Sequence, residues 1–344
     1  MSERWIWPGA ERGPARLLDE LAGRGFSVLR GDASLAPEEA ARAPWSFAER
    51  LLGSRPRLVE RQPIKAVPGG RSFAASSAAA PLHTDSQSFA GAPPAVQIMA
   101  CVRPAERGGA CLLLDGWALL AAIERADPEL FRALFTVHRR IPFVFGDVFG
   151  PTVSLRDGAL ALTHAPVAPP GDAIAARLAR FVEASRREVI ELALGPGDVL
   201  VVDNRRMLHG RRAFEGGARE LVRLLVWLDA PLPSPPAYRA LAAQVAEAAS
   251  RRLAGAPEST RRRLGLGAPA PPAARRRLGV VLEMLRGVPP GVLAARERIP
   301  EPELYRLRDA ALAAAEAALA AGAEGAEGAD DGALAEAMAR MGRG

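Results

Sequence analysis

The chain has few of the cysteines that mark a secreted, disulfide-built protein. Among its 344 residues only Cys101 and Cys111 are cysteine. Both lie in apolar stretches, so they form no disulfide framework, and buried free thiols suit a reducing compartment. We therefore expect a cytoplasmic protein.

Long apolar runs are also missing. No stretch approaches the roughly 20 apolar residues that a helix needs to cross a membrane. The segment Met1–Pro8 has no apolar core of the kind found in secretory signal peptides. We expect no membrane association.

Lysine is almost absent, because Lys65 is the only one among 45 basic residues. The net charge of +6 therefore comes from arginine, in a composition rich in Ala, Gly and Pro. The arginine runs Arg261–Arg263 and Arg275–Arg277 are short and have no aromatic residues between them. Such runs are typical of solvated helix faces, so we expect no binding to nucleic acid.

Histidine is scarce too, with four in the chain, and two of them lie in a suggestive arrangement. His83 and Asp85 are two residues apart, so in an extended strand both side chains point the same way. His209 would have to come from a different strand. Two imidazoles and one carboxylate form the ligand set of non-haem Fe(II) oxygenases. A single His-x-Asp occurs often by chance, and His138 and His164 are better explained as satisfied or exposed histidines.

Two arginines follow His209 within a strand-like run. Arg219 and Arg223 are four residues apart, which places both on one face of a strand. A guanidinium keeps its charge and offers two parallel donors, which suits a carboxylate ligand in an apolar barrel. The alternative is a pair of solvated arginines on an edge strand.

Together these segments resemble the taurine dioxygenase family (TauD/TfdA type) of Fe(II)- and 2-oxoglutarate-dependent oxygenases, over roughly residues 15 to 230. The matching segments are His83-Thr84-Asp85, Glu106 to Cys111, Asp203 to His209, and Arg219 to Asp229.

The resemblance implies that His83, Asp85 and His209 bind Fe(II), and that 2-oxoglutarate and O2 are co-substrates. It implies that Arg219 holds the distal carboxylate of 2-oxoglutarate, with Arg223 near its other end or the substrate. Cys111 stands in the stretch where the family usually has a threonine that hydrogen-bonds 2-oxoglutarate, and a thiol is a weak donor.

The expected fold is mainly β with flanking helices, a double-stranded β-helix (jelly-roll, cupin-like) with a C-terminal helical appendage. Residues 1–232 would form the oxygenase domain, 233–322 a helical accessory region, and 323–344 a low-complexity spacer with a short terminal helix. The appendage would pack on the barrel, cover the active site or form a homo-oligomer contact. Within the first domain, Pro37 to Leu52 reads as one helical stretch.

The expected activity is hydroxylation of an aliphatic C–H bond in a small metabolite, an amino acid or an amino-acid-derived natural-product intermediate. Desaturation, cyclisation and bond cleavage use the same ligands and stay open. A zinc hydrolase with these ligands and a catalytically inactive jelly-roll binding protein are the alternatives from other classes. Asp203 and Asn204 precede His209, and either would support the site or stabilise a turn.

Overall fold

The structure is a computed structural model that describes residues 13–30, 36–67, 72–85, 92–143, 148–156, 158–216, 219–254, 272–285, 288 and 290–324. Its α-helices are α1 (Pro14–Arg24), α2 (Pro37–Arg42), α3 (Pro44–Leu52), α4 (Gly116–Ala126), α5 (Pro128–Thr136), α6 (Ala173–Ala184), α7 (Pro236–Ala254), α8 (Pro272–Leu285), α9 (Pro290–Glu297) and α10 (Glu301–Glu324). A 3₁₀ turn, Ser185–Glu188, follows α6.

Antiparallel strands form two principal sheets. The major sheet has the order β1-β12-β4-β15-β2 and the minor sheet the order β11-β6-β13-β3. The strands are β1 (Phe26–Leu29), β2 (Pro56–Lys65), β3 (Ala80–His83), β4 (Val96–Arg103), β5 (Arg107–Gly108), β6 (Cys111–Asp115), β7 (Arg139–Ile141), β8 (Val148–Gly150), β9 (Val153–Arg156), β10 (Ala159–Leu162), β11 (Ile190–Leu192), β12 (Val199–Asp203), β13 (Met207–Arg211), β14 (Phe214–Glu215) and β15 (Glu220–Leu228). Two-stranded pairs β7/β8, β9/β10 and β5/β14 complete them.

Both faces of the central strands of the major sheet are buried, which explains why β12, β4 and β15 are mostly apolar. Val222 and Leu224 belong to a cluster that includes Phe47 of α3. Leu221, on the opposite face, clusters instead with Leu113 of the minor sheet. Alternate residues of a strand point to opposite faces, so one face meets the helices α1–α3 and the other meets the minor sheet. The two facing sheets confirm the expected double-stranded β-helix.

The outer face of the minor sheet is covered by helices. Leu114 and Leu208 pack into a cluster with Phe135 of α5, Leu178 of α6 and Tyr238 of α7. Each fully buried side chain of this kind stabilises the fold by about 1.5–3 kcal/mol. Helix α7 is thus part of the core that supports the minor sheet.

The chain divides into two compact units, Met1–Gly267 and Ala268–Gly344. Helix α7 lies in the first unit, beyond the residue 232 at which the sequence placed a domain boundary. Helices α8, α9 and α10 lie in the second unit. The functional division into residues 1–232, 233–322 and 323–344 stays a prediction, and residues 325–344 lie outside the described residues.

The helix expected over Pro37 to Leu52 is two helices. Ala43 separates them with a non-helical backbone (φ −134°, ψ 65°), and Pro44 begins α3. A residue before proline is disfavoured in the helical conformation, and proline cannot supply the missing N–H donor. None of the described helices is long and apolar enough to cross a membrane.

Candidate metal centre

Two neighbouring strands of the minor sheet bring the two motif histidines together. His83 ends β3, and His209 lies directly opposite it on β13. The two rings are 4.5 Å apart at their centroids and inclined by 52°. Residues opposite each other in an antiparallel pair share a face, so both imidazoles point into the space between the sheets.

Asp85 lies just beyond the end of β3, and Asn204 holds its backbone. The Asp85 N–H donates to Asn204 Oδ1 at 2.8 Å, and Asn204 Nδ2 donates to the Asp85 carbonyl at 2.8 Å. Asn204 Nδ2 also donates to the Pro94 carbonyl at 3.0 Å. Asp203 instead stabilises the turn that follows β12, because its Oδ1 accepts a hydrogen bond from the Arg205 N–H.

The donor atoms of His83, Asp85 and His209 all lie within 4.8 Å of one another. His83 Nε2 is 3.8 Å from Asp85 Oδ1, and His209 Nε2 is 3.8 Å from Asp85 Oδ2. His83 Nδ1 is 2.8 Å from the Pro81 carbonyl. A carbonyl only accepts, so Nδ1 carries the proton and Nε2 keeps the lone pair that a metal needs. The set fits a divalent metal such as Fe(II).

Burial and charge put two of these groups in their metal-binding protonation states. Burial, aided by nearby His209, lowers the pKa of His83 to about 4, so its imidazole is neutral near pH 7. Burial alone would raise the pKa of Asp85, but Arg223 and the two imidazoles outweigh it and hold that pKa below its usual range. A neutral imidazole and an ionised carboxylate are the forms that ligate metals.

Polar side chains of the major sheet surround the Asp85 carboxylate. Gln97 Nε2 donates to Asp85 Oδ2 at 2.6 Å, and Arg223 Nη1 donates to the same oxygen at 2.9 Å. Arg223 also donates to Gln62 Oε1. The sequence analysis missed Gln97 and Gln62. The signal for Gln97 was a glutamine inside the otherwise apolar strand Val96–Arg103, where it is 1% exposed.

Arg219 lines the same small cavity as the histidines. The cavity has a volume of about 60 Å³, and its lining includes His83, His209, Cys111, Arg219 and Arg223. Arg219 and Arg223, which were expected on one face of a strand, both line this cavity. Arg223 also donates a hydrogen bond to Asp85. Burial raises the pKa of the Cys111 thiol, which keeps it protonated.

The Arg219 guanidinium is buried, with 5% of the residue exposed, and it lies 5.3 Å from the centre of the Phe214 ring. Among the described residues it has no hydrogen bond or ion pair with an acid. Burial lowers its pKa, yet an arginine stays charged near neutral pH. A buried charge without an anion is costly, so this group is suited to an anionic ligand.

Two glycines allow the chain to pass close to Arg219. Gly108 and Gly109 have φ of +74° and +73°. A Cβ on Gly108 would lie 2.3 Å from the Ala213 carbonyl oxygen, and one on Gly109 would lie 3.3 Å from Arg219 Nε. The Gly-Gly pair in the motif therefore has a steric reason as well as a conformational one.

Of the remaining two histidines, His164 is near the site, because its backbone N–H donates to Thr84 Oγ1 at 3.0 Å. His138 is exposed. His164 is buried and lines a separate, larger cavity of about 380 Å³ that contains none of His83, Asp85 and His209. Neither joins the candidate metal ligands.

A family model described as "Taurine catabolism dioxygenase TauD, TfdA family" matches residues 9–225. The human gamma-butyrobetaine dioxygenase is 27% identical over 149 residues, which cover 36% of this chain and 38% of that protein. The uridine-5'-phosphate dioxygenase of an Amycolatopsis species is 31% identical over 156 residues, which cover 40% of this chain and 56% of that protein. The chain thus spans little more than a third of the gamma-butyrobetaine dioxygenase and about half of the uridine-5'-phosphate dioxygenase.

Solved structures are also similar. Asparagine oxygenase in complex with Fe(II), 3-hydroxyasparagine and succinate is 20% identical with a TM-score of 0.48, covering 62% of this chain and 77% of that one. The non-haem iron oxygenase OrfP in complex with Fe and alpha-ketoglutaric acid is 20% identical with a TM-score of 0.47, covering 62% and 79%.

Proposed function

Because the chain belongs to the TauD, TfdA family of taurine catabolism dioxygenases, we propose that it is an Fe(II)- and 2-oxoglutarate-dependent dioxygenase that hydroxylates an aliphatic C–H bond of a small metabolite. His83, Asp85 and His209 are the proposed iron ligands. Arg219 is the proposed partner of the distal carboxylate of 2-oxoglutarate, with Cys111 beside it.

One observation carries the proposal. Three donor groups of the required types lie within 4.8 Å of one another, and the cavity lined by His83 and His209 is also lined by the buried Arg219, which has no acidic partner among the described residues. A metal site alone would also fit a zinc hydrolase. The adjoining cation favours a co-substrate that is both a metal chelator and a carboxylate, which 2-oxoglutarate is.

The chain's own residues bind and orient the reactants. When bound, iron with 2-oxoglutarate and O2 supplies the oxidising power that no side chain has. Arg219 fixes one end of the co-substrate, and Phe73 packs against His83 with ring centroids 5.3 Å apart. Met99 and Ile64 add apolar walls to the cavity. Such walls exclude water and hold reactants in one orientation.

The proposed substrate is an amino acid or an amino-acid-derived metabolite. The relatives named above act, by their names, on gamma-butyrobetaine and on uridine-5'-phosphate. Both names describe small polar metabolites, and the second is anionic. A substrate with an anionic group would also suit the arginine-rich composition of this chain.

The test is succinate release from 2-oxoglutarate under air with Fe(II), over a panel of free and carrier-bound amino acids, betaines and nucleoside phosphates. We expect one class to raise succinate release well above the rate without substrate, with a product heavier by one oxygen atom. The variant His209→Ala is the matched control. Metal-dependent hydrolysis without any use of 2-oxoglutarate would contradict the proposal.

We also propose that the helices of the second compact unit, α8 to α10, are accessory and form a homo-oligomer contact. Leu278, Leu282 and Leu285 of α8 are 53%, 37% and 49% exposed. Apolar side chains at this helical spacing usually pack against something. A cytoplasmic location would suit the two buried free cysteines.

A further inference from the structure

The two oxygens of the Asp85 carboxylate have unequal surroundings. Oδ2 accepts hydrogen bonds from Gln97 Nε2 at 2.6 Å and from Arg223 Nη1 at 2.9 Å. Oδ1 accepts none from the described residues, and it lies 3.8 Å from His83 Nε2. One oxygen is therefore occupied by donors, and the other is free for a metal.

We infer that Gln97 is a positioning residue which, together with Arg223, makes Asp85 bind the metal through Oδ1 alone. This inference rests on the proposed iron site. It assigns a task to a side chain of the cavity lining that is not one of the proposed metal ligands.

The orientation of the Gln97 amide is determined by its neighbour. With the amide rotated by half a turn, Oε1 would face the ionised carboxylate, and two acceptors would oppose each other. Oε1 is buried without a partner among the described residues, so no competing bond holds the amide. Nε2 of Gln97 also lies 3.3 Å from His209 Nε2, whose lone pair a metal would use. The hydrogen bond to Asp85 is shorter, at 2.6 Å, and its acceptor is charged, so it is the stronger of the two.

Arg223 is held in place from its other side. Its second Nη donates to Gln62 Oε1, and in the strand register Arg223 faces Gln62 on β2 and Met99 on β4. Gln62, Arg223 and Gln97 therefore come from three adjacent strands of the major sheet. Asn204 also holds the backbone of Asp85. Asp85 is therefore fixed through its backbone and through the Oδ2 atom of its carboxylate.

The number of oxygens that Asp85 offers decides what else can bind. Two imidazoles and one carboxylate oxygen leave about three positions open on a six-coordinate metal. A chelating 2-oxo acid takes two of these and leaves one free. If Oδ2 also bound the metal, the chelate would fill the sphere, and no position would remain for O2.

The experiment replaces Gln97 and counts the water molecules on bound Mn(II) by water-proton relaxation, in the full chain. Gln97→Met keeps the length and removes the donor, and replacing a buried polar group with an apolar one of similar shape is often tolerated. Gln97→Asn keeps the amide but is too short to reach Asp85. The control is Ile98→Val, on the opposite, helix-packed face of the same strand, which disturbs packing without touching the site.

We expect wild type and Ile98→Val to hold the same number of exchangeable waters on Mn(II), and both Gln97 variants to hold about one fewer. Addition of 2-oxoglutarate should then leave about one water in wild type and almost none in the variants. The double variant Gln97→Met with Arg223→Met, which removes both donors from Oδ2, should lose that water at least as completely.

Equal water counts in wild type and both folded Gln97 variants would overturn the inference while leaving the iron site intact. Failure of the wild-type chain to bind Mn(II) or Fe(II) at all would instead overturn the proposed function, and this inference with it. The two failures are distinguishable because the first is read only in a chain that binds metal.

Discussion

At the level of single residues, replacing a proposed ligand should abolish metal binding and turnover, whereas replacing an ordinary core residue would lower stability. His83 and His209 line a small cavity and Asp85 lies beside them. We expect these polar side chains to contribute little to core packing, so Ala variants should stay folded. Each should lose more metal affinity than the roughly 10–100-fold typical of an outer partner of a metal ligand, and iron-dependent turnover should disappear. Isothermal titration with Mn(II) and circular dichroism measure both effects. Undiminished turnover in any one variant would remove that residue from the ligand set.

Arg219 offers a second residue-level prediction. Arg219→Ala should raise the KM for 2-oxoglutarate by roughly 10–100-fold, because hydrogen bonds to a charged group contribute about 1.5–3 kcal/mol. Arg219→Lys should recover only part of this, since an ammonium cannot form two parallel bonds. The control is Arg61→Ala, at an exposed arginine of β2. An unchanged KM in Arg219→Ala would move the carboxylate site elsewhere.

Asp203 should make stability depend on pH. Burial, partly offset by the Arg205 N–H, raises its pKa to about 7. The folded state then holds a proton that the unfolded state releases near pH 4, so this contribution to stability is present below pH 4 and is lost as pH rises to about 7. Asp203→Asn keeps the acceptor and removes the charge.

The free energy of unfolding of wild type minus that of Asp203→Asn should therefore fall between about pH 4 and pH 7, and then level off. Urea titrations at several pH values measure this difference. His83 and His164 have lowered pKa values, which make the free energy of unfolding rise with pH instead. They do so equally in both proteins, so their effect cancels in this difference. A flat difference would show that Asp203 is ionised in the folded state.

At the scale of elements, the turn between β5 and β6 is a place where backbone geometry supports the site. Gly108→Ala should reduce the free energy of unfolding by more than Gly171→Ala. Both glycines have positive φ, which costs a non-glycine residue about 1–2 kcal/mol. Only at Gly108 would the new Cβ also collide with backbone, 2.3 Å from the Ala213 oxygen, whereas nothing lies within 4 Å at Gly171. Denaturant unfolding of both variants gives the comparison, and equal losses would contradict the steric explanation.

At the scale of the whole molecule, two truncations test which helices the barrel needs. A chain ending at Gly267 keeps the first compact unit and every proposed site residue, so it should fold and bind Mn(II). A chain ending at residue 235 loses α7, whose Tyr238 packs against Phe131 and Phe135 with ring centroids 5.4 Å and 6.1 Å apart. It should be less stable and less soluble. If the folded 1–267 chain fails to bind metal, the second unit must contribute to the site.

The local residue patterns and the family resemblance they carry were sufficient to predict the fold class and the candidate ligands. Alternation within a strand predicted that His83 and Asp85 share one face and that Arg219 and Arg223 share another. The family resemblance implied that His209 completes the ligand set. The prediction of one helix over Pro37 to Leu52 was wrong because it did not take account of Pro44, a residue that usually ends or interrupts a helix.

Which side chains meet between the two sheets could not be predicted from local patterns and depends on the folded chain. Asn204 and Asp85 are 119 residues apart, and Arg223 and Asp85 are 138 apart. A periodic pattern says that a residue faces inward, but the register between strands and the distance between sheets decide its partner. No sequence pattern gave Gln97 a role, and it is the facing sheets that bring Gln97 and Arg223 to one oxygen of Asp85. A further role of Arg223 near the co-substrate or the substrate stays a prediction.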